Sequence, residues 1–69
     1  MKRHFEYTDD VSNKFWKINL NSKHVSVCYG RIGIQNPHEI IKEFETKEKA
    51  KKFAETKIRE KEIKGYIEV

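Results

Sequence analysis

The amino-acid sequence predicts an α+β fold: a small antiparallel sheet of about four or five strands, with one helix packed on one face. Several segments in the first two-thirds of the chain alternate polar and apolar residues, which is the period of a half-buried strand. A later segment places apolar residues three and four positions apart, which is the period of an amphipathic helix. With 69 residues, the chain is expected to form one domain, residues 1–69, around a thin core.

The strands are predicted to pair with their neighbours in the sequence. Residues 4–7 form a short first strand that ends at a turn-forming Thr-Asp-Asp cluster. Residues 14–20 and 24–29 alternate on either side of an Asn-Ser turn, which predicts a β-hairpin. A loop over residues 30–38, rich in Gly, Asn and Pro, then leads to a further strand at residues 39–45.

Residues 47–62 are predicted to form the helix, because Thr46 is a typical N-cap and Gly65 a typical residue just beyond a helix end. The apolar tail at residues 66–69 has the composition of a last strand. The stripe Ala50, Phe53, Ala54 and Ile58 is expected to pack on Trp16, Ile18, Val25 and Val27. On this basis, replacing Phe53 with alanine is expected to lower the free energy of unfolding by about 3–5 kcal/mol.

The charged residues of the helix segment show two further patterns. Lys57 and Lys61 fall within the apolar stripe, which indicates that their stems pack while their ammonium groups reach solvent. Three pairs of opposite charge four residues apart are expected to stabilise the helix. They are Glu48 with Lys52, Glu55 with Arg59, and Glu60 with Lys64.

The corner where the second hairpin strand meets the loop combines an aromatic ring, two glycines and a guanidinium. Gly30 and Gly33 are expected to let the chain turn and approach closely, which would display Tyr29 and Arg31. Tyr29 is either a stacking platform or a ring that closes the core. Arg31 either contacts a phosphate or a partner carboxylate, or holds the loop through an internal contact.

The balance of charge points to an acidic partner. The net charge is +4, and residues 47–64 carry 8 Lys and Arg against 4 acidic residues. A solvated helix face remains the other interpretation of these lysines. The single cysteine and the lack of a long apolar run predict a cytoplasmic protein, or a nuclear one in a eukaryote, with no membrane partner.

Catalytic and metal sites are not indicated. His24 and Cys28 share a strand face, but four residues of strand separate their α-carbons by roughly 13 Å, too far for one zinc ion. Ser26 and His24 lack a nucleophile elbow and an oxyanion loop. No phosphate-cradling or dinucleotide motif is present. We therefore expect no enzyme activity, no cofactor and no small-molecule substrate.

Nearly the whole chain resembles the WGR domain. The resemblance rests on Tyr-Gly-Arg-Ile-Gly at residues 29–33, on the charged helix, and on Glu60-Lys61, Lys64-Gly65-Tyr66 and Glu68-Val69. Tyr29 stands where the family motif has tryptophan. WGR domains occur in poly(ADP-ribose) polymerases, where they contact DNA at breaks, and in bacterial proteins.

The resemblance implies a non-catalytic binding module that contacts nucleic acid, DNA above all, weakly and without sequence specificity. Tyr29, Gly30, Arg31 and Lys61 are the candidate contact residues. The alternative is a protein–protein interaction module with no nucleic-acid role, in which Arg31 contacts another domain and the lysines confer solubility.

Overall fold

The computed structural model describes all 69 residues as a five-stranded antiparallel sheet with one helix on one face. The elements are β1 (Lys2–Thr8), β2 (Asn13–Asn21), β3 (His24–Arg31), β4 (His38–Glu43), α1 (Lys47–Ile63) and β5 (Ile67–Glu68). The strand order is β4-β3-β2-β1-β5, and every neighbouring pair is antiparallel. The predicted α+β class and the hairpin between residues 14–20 and 24–29 are confirmed.

The core lies between the helix and the three central strands, and no polar side chain is buried in it. It consists of Phe5, Trp16, Ile18, Val25, Ala50, Ala54 and Ile58. Phe5 on β1 is completely buried, although the alternation of its short segment gave no sign of a central position. The predicted stripe is confirmed except at Phe53, which is only partly buried, as is its expected partner Val27.

The strand-to-loop corner differs from the predicted one. β3 continues through Gly30 and Arg31, so that Gly30 pairs with Phe15 within the ladder and does not open the loop. Its missing side chain matters for space, because a Cβ there would lie 3.2 Å from Cγ2 of Ile34. Gly33 does turn the chain, with a φ of 90° that favours glycine.

The helix begins and ends as its flanking residues predict. Oγ1 of Thr46 accepts a hydrogen bond of 3.1 Å from the backbone N–H of Lys49. Gly65 has a φ of 103°, and its N–H donates to the carbonyl of Glu62. The helix is too short and too polar to cross a membrane.

The three predicted ion pairs on the helix do not form within 4.0 Å. The structure instead pairs Lys49 with Glu45 at 3.3 Å and Lys57 with Glu60 at 3.4 Å. The prediction was wrong because exposed long side chains gain little from ion pairing and adopt other rotamers.

Candidate functional site

A shallow groove opens where the last turn of α1 meets the end of β3 and the start of β2. Its volume is about 310 Å³. Ten residues line it: Val11, Ser12, Asn13, Lys14, Phe15, Tyr29, Gly30, Arg31, Lys61 and Tyr66. We call it the cationic groove. All four candidate contact residues, Tyr29, Gly30, Arg31 and Lys61, line this one surface.

Tyr29 lies on the wall of the groove and not in the core. Its side of β3 faces the helix, directly opposite Trp16, but the residue is 38% exposed and is not one of the seven buried core residues. The imidazole of His38 stacks on the phenol ring, with centroids 5.5 Å apart and planes inclined by 29°. His38 therefore already stacks on the ring, and the role of Tyr29 as a stacking platform for a ligand stays a prediction.

The guanidinium of Arg31 makes no hydrogen bond and no ion pair with the rest of the chain. The internal contact that could have held the loop is therefore absent. Lys14 lies directly opposite Arg31 in the β2–β3 register, so both cations leave the sheet on the helix side. Two like charges are thus neighbours without a carboxylate between them.

Lys61 closes the groove from the helix. Its ammonium nitrogen lies 5.7 Å from the centre of the Trp16 ring and 5.1 Å from that of Tyr66. Burial lowers the pKa of this ammonium, and the positive charges of Lys64 and Lys57 lower it further. The ammonium group itself therefore lies over the two rings at a half-buried position, where the sequence-based expectation placed it in solvent.

The cations continue beyond the groove along the end of the helix. A neighbouring hollow joins Lys61 and Lys64 to Lys14, with Tyr7 and Tyr66 as its aromatic walls. The rings of Tyr7 and Tyr66 lie 5.5 Å apart. No aspartate or glutamate lines this hollow or the cationic groove.

The sequence-based analysis missed Lys14, Lys64 and Tyr66. The hairpin register contains the missing signal for Lys14, since the Asn-Ser turn fixes Lys14 opposite Arg31. Lys64 and Tyr66 could not be placed without the direction of the helix across the sheet.

The remaining candidate ligands lie elsewhere. His24 is 3.6 Å from the carboxylate of Glu43 at the far end of the sheet, and Cys28 is a half-buried free thiol on the face away from the helix. No group of three or more His, Cys, Asp or Glu side chains converges.

The comparisons with known proteins agree with this architecture. The family model of the WGR domain matches residues 1–69. The chain is 40% identical over 68 residues to the uncharacterized protein YfeS of Escherichia coli (strain K12), and this match covers 99% of the chain and 28% of YfeS. A crystal structure of a Bacteroides fragilis protein superposes with a TM-score of 0.94 at 39% identity, covering 100% of the chain and 19% of that protein. The chain spans less than a third of either relative. It belongs to the WGR domain family.

Proposed function

We propose that this WGR domain is a non-catalytic module that binds DNA weakly and without sequence specificity through the cationic groove. The observation that carries the proposal is that Lys14, Arg31 and Lys61 line one groove together with the partly exposed Tyr29, and that no carboxylate lines it. Phosphates are attracted to such a cluster, and an exposed ring stacks on a sugar or a base of any sequence.

Charge supports an anionic ligand at this surface. The three cations are held near one another by the sheet register and by the packing of Lys61 on its two rings. Their mutual repulsion is an energetic cost that a bound phosphate would relieve. Partial burial, followed by the positive charges of Lys64, Lys57 and Lys14, lowers the pKa of Lys61.

The geometry also supports weak affinity. The groove lies at the C-terminal end of α1, where the helix dipole is negative and disfavours an anion. The cations must therefore supply the attraction alone. Contacts to phosphate and sugar position a protein on DNA but carry no base sequence, so binding is expected to be equally strong on unrelated duplexes.

Fluorescence anisotropy with a labelled blunt or nicked duplex tests the proposal at low and moderate salt. Each phosphate contact contributes about −0.9 to the slope of log K against log salt concentration. If Lys14, Arg31, Lys61 and Lys64 all participate, the slope is expected near −3.6, since ~4 contacts contribute. Absence of binding at low salt, or binding that does not change with salt, would contradict the proposal.

A matched pair of variants assigns the contact to the groove. Arg31→Ala is expected to weaken duplex binding and to reduce the steepness of the salt dependence by about one contact. Arg59→Ala removes the same charge from an exposed helix position outside the groove, and is expected to change binding only slightly. Equal losses in the two variants would indicate attraction by net charge without a site.

A protein partner is the second candidate, and the observation that favours it is the presence of the apolar side chains of Val11 and Phe15 in the lining of the groove. Val11 is 92% exposed, and its side chain gains more from burial against apolar protein surface than from contact with phosphates. Under this alternative, Val11→Ser weakens capture of the partner by the domain, and the duplex shows no saturable binding at low salt. Under the DNA proposal, Val11→Ser leaves duplex affinity unchanged.

A further inference from the structure

The outermost strand β4 is exposed along its whole length. It ends the sheet next to β3, and all of its residues, His38–Glu43, are exposed. Ile40 is 48% exposed and Ile41 is 65% exposed. A regular edge strand that carries apolar residues is a template for pairing with another chain.

The register shows which backbone groups of β4 are free. The N–H of Phe44 donates to the carbonyl of Lys23 across the β3–β4 pair, at 2.8 Å. Because bonding alternates along an antiparallel strand, every second residue from Phe44 also faces β3. The N–H and C=O groups that face away from β3 therefore belong to Glu39, Ile41 and Glu43.

The opposite edge offers no comparable surface. β5 has two residues, Ile67 and Glu68. The carboxylate of Glu68 accepts two hydrogen bonds from the guanidinium of Arg3, at 2.7 and 2.9 Å, which fixes this edge to β1. On β5, about one residue has backbone groups that are free to pair with a further strand, whereas β4 has three such residues.

We propose that β4 binds an extended segment of a partner protein as a sixth, antiparallel strand, selected by charge. Residues that face each other across a strand pair lie on the same side of the sheet. On the side away from the helix, Glu39 and Glu43 flank Ile41, which favours two basic residues around an apolar one. On the helix side, Lys42 and Ile40 favour an acidic and an apolar residue.

From its N-terminal end, the partner segment thus reads basic, acidic, apolar, apolar, basic. Main-chain hydrogen bonds supply affinity in this mode of recognition, and the alternating side chains supply specificity. The surface is separate from the cationic groove, whose walls contain no residue of β4. The inference therefore does not depend on the proposed DNA contact.

A second copy of the chain is a poor occupant of this edge. When two copies pair through a two-fold axis, side chains on the same face of the sheet lie opposite each other. If Ile41 pairs with Ile41 of the second copy, Glu39 of each copy lies opposite Glu43 of the other. Like charges directly opposite each other destabilise a strand pair. The same carboxylates attract the basic residues of the proposed segment.

Nuclear magnetic resonance of the ¹⁵N-labelled domain tests this, with the capped peptide Thr-Arg-Glu-Val-Val-Arg-Thr as the probe. The free amide protons of Glu39, Ile41 and Glu43 are expected to shift downfield as they gain hydrogen bonds. The charge-reversed peptide Thr-Glu-Lys-Val-Val-Glu-Thr is expected to bind at least about fivefold more weakly, because three attractive pairs become repulsive. Unshifted β4 amides at millimolar peptide, or equal binding of both peptides, would overturn the proposal.

Two variants of the domain sharpen the result. The double variant Glu39→Lys with Glu43→Lys is expected to bind the charge-reversed peptide more tightly than the original one. The control Asp10→Lys with Glu55→Lys adds the same charge away from β4, and it should still prefer the original peptide. Ile41→Pro removes an outward N–H without touching the bonds to β3, and is expected to weaken binding at least fivefold. Shifts of the β4 amides on raising the protein concentration without peptide would identify a second copy as the occupant and overturn the proposal.

Discussion

The core beneath the helix and the cationic groove at its end differ in composition: the core is apolar, and the groove is lined by positively charged side chains. In the core, Ala50 and Ala54 let the helix approach the sheet closely, and no polar or charged residue is buried. In the groove, the ammonium group of Lys61 lies over two aromatic rings, and no carboxylate lines the surface that it shares with Arg31. Different turns of the same helix therefore have different roles: most of them stabilise the fold, and the last turn places positive charge at the surface.

The largest expected effect is the loss of the core aromatic on β1. Phe5 is completely buried and its ring lies 5.8 Å from that of Trp16. Phe5→Ala is expected to cost about 3–5 kcal/mol, because it removes a buried ring and leaves a cavity. Thermal denaturation followed by circular dichroism should show a domain that is largely unfolded at 25 °C. An unchanged melting temperature would contradict the described core.

A smaller loss is expected at the margin of the core. Phe53 contacts Phe44, with ring centroids 5.1 Å apart, but remains partly exposed. Phe53→Ala should cost about 1.5–2.5 kcal/mol, less than the value expected from the sequence, because part of the ring is already hydrated. Chemical denaturation measures the difference. A cost equal to that of Phe5→Ala would show that Phe53 belongs to the core.

The groove is expected to show the reverse pattern, with function lost and stability kept. Lys61→Met retains an unbranched stem over Trp16 and Tyr66 but removes a half-buried positive charge. The free energy of unfolding should change by less than about 1 kcal/mol, because lost cation–π contacts offset the relieved repulsion. Duplex affinity should fall measurably in anisotropy at low salt. Lys51→Met, at an exposed helix position, is the control.

The smallest expected effect is the loss of stability of the domain at acidic pH. The backbone N–H groups of Val11 and Ser12 donate to the carboxylate of Asp9 and hold its pKa below the usual range, and Arg3 does the same for Glu68. Since both pKa values are lower in the folded state, these groups stabilise the domain above their unfolded pKa values. That contribution is lost as the pH falls through the folded values.

The variant Asp9→Asn tests this loss. Its melting temperature should lie below that of the unmodified domain at neutral pH, and the gap should narrow as the pH falls below about 4, the usual pKa of an unfolded aspartate. A gap that stays constant down to pH 2 would show that the turn, and not its charge, matters.

The sequence predicts the fold well because its signals are local. Alternation and the Asn-Ser turn define the hairpin, while Thr46 and Gly65 define the helix. The burial of Phe5 was missed because strand order places β1 between β2 and β5, and periodicity in four residues says nothing about neighbours across the sheet. The extent of β3 was misjudged because Gly30 serves close packing and not a turn.

The groove was predictable only in part. The motif pointed to Tyr29 and Arg31, and the helical period pointed to Lys61. Their meeting depends on the direction in which α1 crosses the sheet, which no local pattern encodes. The same dependence hid Lys64 and the ring of Tyr66.

The most direct test of the central claim is a nuclear magnetic resonance titration of the labelled domain with a short blunt duplex. The amides of Tyr29, Gly30 and Arg31 are expected to shift together with those of Lys61 and Lys64, and added salt is expected to reverse the shifts. Shifts confined to the exposed positions of the helix, or no shifts at low salt, would contradict it.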